Sequence, residues 1–299
     1  MRVLVAGGAG FLGQSVIRSC TGAQHEVVGL VRHPHQLEAV ARVGGIPLLG
    51  DLLLPRTLEK AVVGCDVVVH LAQPSSGELA EMRRVRVEGG RALADAAREA
   101  GVPRFVLGSG YWVYRSNPGV ITEESPLRPL SLSMVNFEAE ELMRARSRSG
   151  DFELVVLRPG MVYGAGSWLR STVEEIRGGA YSYVGDGSNY LSPVALDDTG
   201  EAYRIVMENW HPGETYLVAD DTPITTRAFA EFVTDYLHAG PPSRLTPDEA
   251  RVQWGADAAE LSSASRRVSN AKLRSLGWIP RYRNCRAGLP PILDTLALG

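Results

Sequence analysis

The chain has 299 residues, 44% hydrophobic and 22% charged, with a formal net charge of −3. That length and balance predict one large α/β domain or a core with a smaller lobe, and argue against a disordered chain. No Lys/Arg-rich run and no apolar stretch of spanning length occur, so neither nucleic acid nor membrane is an expected partner.

In chain order, Arg2–Ala6 reads as a strand, Phe11–Cys20 as a helix and Glu26–Val31 as a second strand. Helix Pro34–Val43, strand Ile46–Leu49, helix Arg56–Val63 and strand Asp66–His70 follow. Glu78–Ala100 reads as a long helix, Arg104–Gly108 as a strand, Ser133–Ser149 as a helix and Glu153–Arg158 as a strand. Continuous apolar runs such as Val67-Val68-Val69 are the mark of strands buried on both faces. Strand–helix alternation predicts a doubly wound parallel Rossmann sheet with right-handed crossovers. Beyond about residue 160 the rhythm breaks. Gly164–Gly187 reads as loop, Pro193–Asp198 and Glu214–Ala219 as late strands, and Ala228–Leu237 as a helix. The expected division is a dinucleotide-binding core at 1–163, with 190–222 returning to it. A smaller substrate-binding lobe is expected at 164–189 and 223–299.

Cys20, Cys65 and Cys285 are odd in number and unpatterned, which fits a reducing cytoplasm better than a disulfide framework. Met1 and Arg2 run straight into a strand, so no signal peptide is expected. The six histidines show no metal-ligand spacing, and no metal site is expected.

The first strand, tight turn and helix carry Gly7, Gly10 and Gly13. Glycines here give the turn its dihedrals, let the backbone approach a pyrophosphate and let the helix pack close to the sheet. Phe11 and Leu12 open that helix, whose free N–H groups and positive dipole end suit an anion. At the first strand–helix junction of a βαβ unit, this motif predicts a bound dinucleotide. An NAD site places an acid at the end of the second strand, to accept from the ribose 2′-OH. Here Arg32 and His33 stand there instead. A guanidinium at that point pairs with a 2′-phosphate, which favours NADP(H); the alternative is a solvated strand end.

Gly7–Gly13 carries the spacing GxxGxxG. It is followed in order by Gly50-Asp51-Leu52, Asp66–Ala72, Val87-Glu88-Gly89, Arg104–Tyr114, Leu157–Gly164, Val184–Gly187, Asp197-Asp198 and Ser269-Asn270. The whole series resembles the extended short-chain dehydrogenase/reductases of the NAD-dependent epimerase/dehydratase group. The resemblance implies that Asp51 and Leu52 sit beside the adenine, although a turn or helix-cap role suits Asp51 equally. It also implies that Leu71, Ala72 and Gln73 line the ribose, and that Pro159, Gly160, Met161 and Val162 lie near the nicotinamide.

The same resemblance implies a catalytic Ser or Thr with a Tyr and Lys spaced YxxxK on one helix face. The segment Glu138–Leu142 fixes that register, placing Leu132 at the Tyr position and Asn136 at the Lys position. The pair is absent. The hydroxyl position falls on Gly110, with Ser109 one residue earlier, and Tyr111 is the nearest phenol. Ser109 and Tyr111 are the candidate catalytic residues, with packing as the alternative for Tyr111. Arg86 replaces an Asn of the family and reads as a solvated helix residue. Tyr114 and Tyr163 read as core, and Tyr181, Tyr183 and Tyr190 as an aromatic lid.

The expected function is an NADPH-dependent carbonyl reductase of an aromatic or polyketide-like small molecule, working without the Tyr/Lys pair. In this it is similar to a triad-lacking angucyclinone ketoreductase, where the substrate supplies its own activation. Positioning alone provides a large share of the rate of hydride transfer. A non-catalytic NADP(H)-binding regulator, a nucleotide-sugar epimerase or dehydratase, and an isomerase or cyclase using the cofactor as scaffold remain as alternatives. The expectation for assembly is open between monomer and homodimer.

Overall fold

Short Val- and Leu-rich runs pair in parallel into one seven-stranded sheet in the computed structural model, which describes residues 1–74 and 78–297. The strands of the first half are β1 (Arg2–Ala6), β2 (Glu26–Val31), β3 (Ile46–Leu49), β4 (Val67–His70), β5 (Arg104–Gly108) and the outlying β6 (Asn117–Ile121). Its helices are α1 (Phe11–Gly22), α2 (Leu37–Arg42), α3 (Leu79–Arg83), a π-helical turn at Arg84–Glu88, α4 (Gly89–Glu99) and α5 (Ser131–Arg148). The second half continues with β7 (Glu153–Pro159), β8 (Met161–Tyr163), α6 (Leu169–Arg177), β9 (Ser182–Val184), β10 (Tyr190–Leu191) and β11 (Pro193–Ala195). After these come α7 (Leu196–Glu208), β12 (Thr215–Val218), β13 (Ile224–Thr225) and α8 (Thr226–Tyr236).

The spatial order is β12-β7-β5-β4-β1-β2-β3, the doubly wound Rossmann arrangement. Period-two alternation assigns the two cores. Leu4, Val68, Phe105, Leu107 and Val156 face Leu93, Ala97, Ala139 and Met143 on α4 and α5. Val3, Val5, Val67, Val69, Val106 and Val155 face Val16, Ile17, Ala202 and Val206 on α1 and α7. A third cluster, including Leu169, Val173, Phe229, Val233, Leu289 and Leu293, forms the core of the smaller lobe.

The chain departs from the sequence reading in five places. Arg56–Val63 holds only a 3₁₀ turn at Pro55–Thr57, where the Thr57 hydroxyl donates to Leu54 O at 2.7 Å and Asp51 O at 3.0 Å and competes with the helix. The long helix expected at Glu78–Ala100 is broken by the π-turn. The strand expected at Pro193–Asp198 stops at Ala195. Asp197 and Asp198 instead occupy the first turn of α7, where acids suit the positive dipole end. Gly164–Gly187 contains α6, whose Leu169, Thr172, Val173 and Ile176 bury one face at helical spacing. Leu273 and Trp278, from the stretch assigned to the lobe, pack beneath the sheet with Val206 and Met207. Among the described residues no helix is long and apolar enough to cross a membrane.

Candidate active site

A cleft of about 830 Å³ runs along the carboxyl ends of the strands, centred where the order reverses at β1. Its floor is the loop after β1. Gly7 adopts φ +89, and a Cβ there would lie 2.8 Å from Ala72 Cα. A Cβ on Gly13 would lie 2.1 Å from Gly7 O, so only glycine lets α1 start this close to the loop. The first turn of α1 has no side-chain cap and no acid, leaving its N–H groups directed at the cleft.

At the outer end, Arg32, His33, His35 and Gln36 line the cleft. Gln36 Oε1 accepts from the backbone N–H groups of Arg32 (3.2 Å) and His33 (3.0 Å), fixing the turn after β2. Arg32 Nε donates to His33 Nε2 at 3.0 Å, and the His33 and His35 rings stack with centroids 5.4 Å apart. Among the described lining residues the only acid is Asp51. Its Oδ1 accepts from Leu53 N at 2.9 Å, so it shapes the turn while facing the cleft. Leu52, Leu71, Ala72 and Gln73 continue the wall.

The inner end brings together Val85, Arg86, Gly108, Ser109, Gly110, Trp112, Asn136, Pro159, Gly160, Val162 and Tyr203. Met161, expected beside Pro159 and Gly160, does not line the cleft. It sits on β8, where strand alternation turns its side chain into the neighbouring apolar clusters. Tyr111 requires the same correction. The 3₁₀ turn Tyr111–Val113 directs its ring into a core with Val113, Tyr114, Ile121, Leu217 and Val268, while Trp112 takes the cleft side. Burial holds the Tyr111 phenol well above its usual pKa, and its hydroxyl makes no hydrogen bond among the described residues. It is not placed to deliver a proton into the cleft.

Ser109 does line the cleft. Its N–H donates to Leu157 O at 2.8 Å, and its buried Oγ has no partner among the described residues. Asn136 Oδ1, Arg86 Nε and Tyr203 Oη are likewise buried without partners. Four unsatisfied polar atoms at the inner end of the cleft cost stability unless something occupies it. A Cβ built on Gly110 would lie 3.4 Å from Trp112 Cδ1 and 3.7 Å from Asn136 Nδ2, so a side chain at the vacated hydroxyl position would meet both at ordinary van der Waals distance.

Arg86 is the largest departure from the sequence reading. It is 1% exposed, not solvated. The π-turn re-aims it inward, where one guanidinium NH₂ donates to Gly108 O. It forms no ion pair among the described residues. Burial lowers its pKa to about 10, partly offset by Tyr203 and Glu140, so it stays cationic at neutral pH. Tyr203, from α7, was not singled out by sequence; burial holds its phenol above the usual range. Tyr181, Tyr183 and Tyr190 form no lid. None lines the cleft; Tyr181 packs in the lobe core and Arg267 lies over the Tyr190 ring at 5.3 Å. Tyr114 and Tyr163 are core residues.

A glycine-floored crevice at the switch point of a doubly wound parallel sheet defines a dinucleotide-binding Rossmann oxidoreductase of the short-chain dehydrogenase/reductase type. The chain belongs to the NAD-dependent epimerase/dehydratase family, whose profile matches residues 3–219. It is 31% identical over 239 residues to the 4-hydroxy-2-methyl-3-oxo-4-farnesyl-3,4-dihydroquinoline-1-oxide ketoreductase of Stigmatella aurantiaca, covering 77% of this chain and 71% of that one. It is 28% identical to a 3-diazoavenalumate denitrifying reductase from Streptomyces sp, over 97% of this chain and 99% of the other. The fold superposes with TM-score 0.83 on DesIV, a dTDP-glucose 4,6-dehydratase from Streptomyces venezuelae solved with NAD, at 24% identity over 98% and 96% of the two chains. Human epimerase family protein SDR39U1, solved with NADPH, gives TM-score 0.81 at 22% identity over 98% and 99%.

Proposed function

We propose that the protein is an NADPH-dependent carbonyl reductase of an aromatic or polyketide-like ketone, acting without a Tyr/Lys pair. One observation carries the choice over epimerase or dehydratase. Among the described residues, the inner end of the cleft holds hydrogen-bonding groups for a carbonyl oxygen but no Lys, Asp, Glu or His to take a proton from carbon. The one phenol among its described residues, Tyr203, is held protonated by burial. The ketoreductase and reductase names among the relatives point the same way.

The residues present fit the cofactor. The glycine floor and free N–H groups of α1 suit a pyrophosphate, and the Arg32/His33/His35 cluster, with Asp51 the one acid among the described lining residues, suits a 2′-phosphate. When bound, the dihydronicotinamide supplies a hydride. Ser109 Oγ and Asn136 hold the substrate oxygen, and Trp112 offers a flat face to an aromatic ring. The proton comes from water or from the substrate's own phenol. The protein's partner is that small molecule.

The test follows dihydronicotinamide absorbance with a panel of aromatic ketones, quinones and sugar nucleotides. At least one ketone is consumed, and Arg32→Ala raises the Kd for NADPH far more than that for NADH. Equal effects on both cofactors overturn the 2′-phosphate assignment. Tight NADPH binding with no turnover favours a regulator.

A further inference from the structure

Two positions on neighbouring elements have exchanged chemistry. The sequence register places Asn136 where the family carries its lysine, and Arg86 where the family carries an asparagine. In the structure both line the inner end of the cleft, Arg86 from the π-turn before α4 and Asn136 from α5, which packs against that turn. The positive charge has therefore moved from one wall to the other. Among the described residues no acid forms an ion pair with it there. Glu140, one helical turn beyond Asn136, is engaged by Arg158 Nε at 3.0 Å and by Arg158 NH₂ at 2.5 Å. Asp51, the only acid lining the cleft among the described residues, lies with the outer half.

We propose that Arg86 is a positioning residue that makes the cleft prefer the reduced cofactor over the oxidised one. The inference rests on the reading that a nicotinamide lies at the Pro159–Val162 end. NADPH and NADP⁺ share the same phosphates and differ by the positive charge of the oxidised ring. A buried guanidinium with no ion-pair partner among the described residues repels the oxidised ring at that end and leaves the reduced ring untouched. At an effective dielectric of about 20, two unit charges about 10 Å apart shift an equilibrium by about tenfold. The same repulsion speeds release of the oxidised cofactor after each turnover. The hydrogen bond from Arg86 to Gly108 O fixes the charge in place, and the unpartnered Nε leaves it free to act on the cleft.

Dissociation constants for NADPH and NADP⁺ are measured on the full chain by quenching of tryptophan fluorescence, since Trp112 lines the cleft. The wild type binds NADPH more tightly. Arg86→Gln lowers the ratio of the two constants by about tenfold, and Arg86→Lys keeps it within about threefold. Asn136→Asp, which sets a carboxylate in the facing wall of the same inner end, lowers the ratio as Arg86→Gln does. A folded Arg86→Gln variant that binds NADPH with an unchanged ratio overturns the proposal. Should that variant not fold, an unchanged ratio in Asn136→Asp overturns it. A wild-type protein that binds neither form overturns the cofactor assignment itself, a failure distinct from an unmoved ratio.

Discussion

Asp220 shows how burial sets chemistry at a single residue. It follows β12; its Oδ1 accepts from Thr222 N at 3.1 Å, and its Oδ2 is buried without a partner among the described residues. Burial, reinforced by Asp221 and Asp198, pushes its pKa from 3.8 up to about 8. The folded state thus holds this proton more tightly than the unfolded chain, and stability falls as pH rises from about 4 to about 8. Asp220→Asn keeps the acceptor and removes the titration. Its melting temperature gains over wild type widen from about pH 5 to about pH 8 and then level; a constant gap contradicts the assignment. Fifteen of the sixteen cofactor residues expected from sequence line the cleft, Met161 being the exception. Glycine spacing and strand ends were readable because they are local. Arg86 and Tyr203 were not, because nothing local marks a π-turn or tells which strand end a distant helix reaches. Tyr111 was misplaced because the 3₁₀ turn after Gly110 exchanges the faces of Tyr111 and Trp112.

At the scale of elements, α5 serves both the sheet and the cleft. Asn136 faces the cleft, and one turn later Glu140 pairs with Arg158 of β7. Both side chains are nearly inaccessible, at 1% and 3%, and Arg158 also donates to the Tyr114 hydroxyl and lies over its ring at 4.8 Å. Removing one partner leaves a buried charge uncompensated. Glu140→Gln is expected to cost about 3–5 kcal/mol of stability by denaturant titration. A loss below about 1 kcal/mol would mean the pair is exposed to water in solution. The first five strands were legible from their apolar runs almost to the residue, whereas β6, outside the main sheet, was not. α6 and α7 were not: α6 lies within a Gly-, Ser- and Tyr-rich stretch that reads as loop, and the start of α7 reads as the end of a strand, until tertiary packing selects their apolar stripes.

On the scale of the whole molecule, the sheet order places the loops after β1, β2, β4, β5 and β7 around one crevice. The outer half presents a glycine floor, uncapped N–H groups and a basic cluster, and the inner half combines a buried cation, a hydroxyl and an aromatic wall. Loss of Tyr and Lys removes proton abstraction and leaves hydride delivery, which is the physical basis for reading a reductase in a family named for epimerases and dehydratases. The most direct test uses NADPH deuterated at the transferable position of its nicotinamide, incubated with the protein and a ketone that it consumes. Mass spectrometry of the alcohol should show one deuterium on the new carbinol carbon. Alcohol formed without that deuterium, or a bound cofactor that keeps it in the presence of every ketone, would contradict the reductase account.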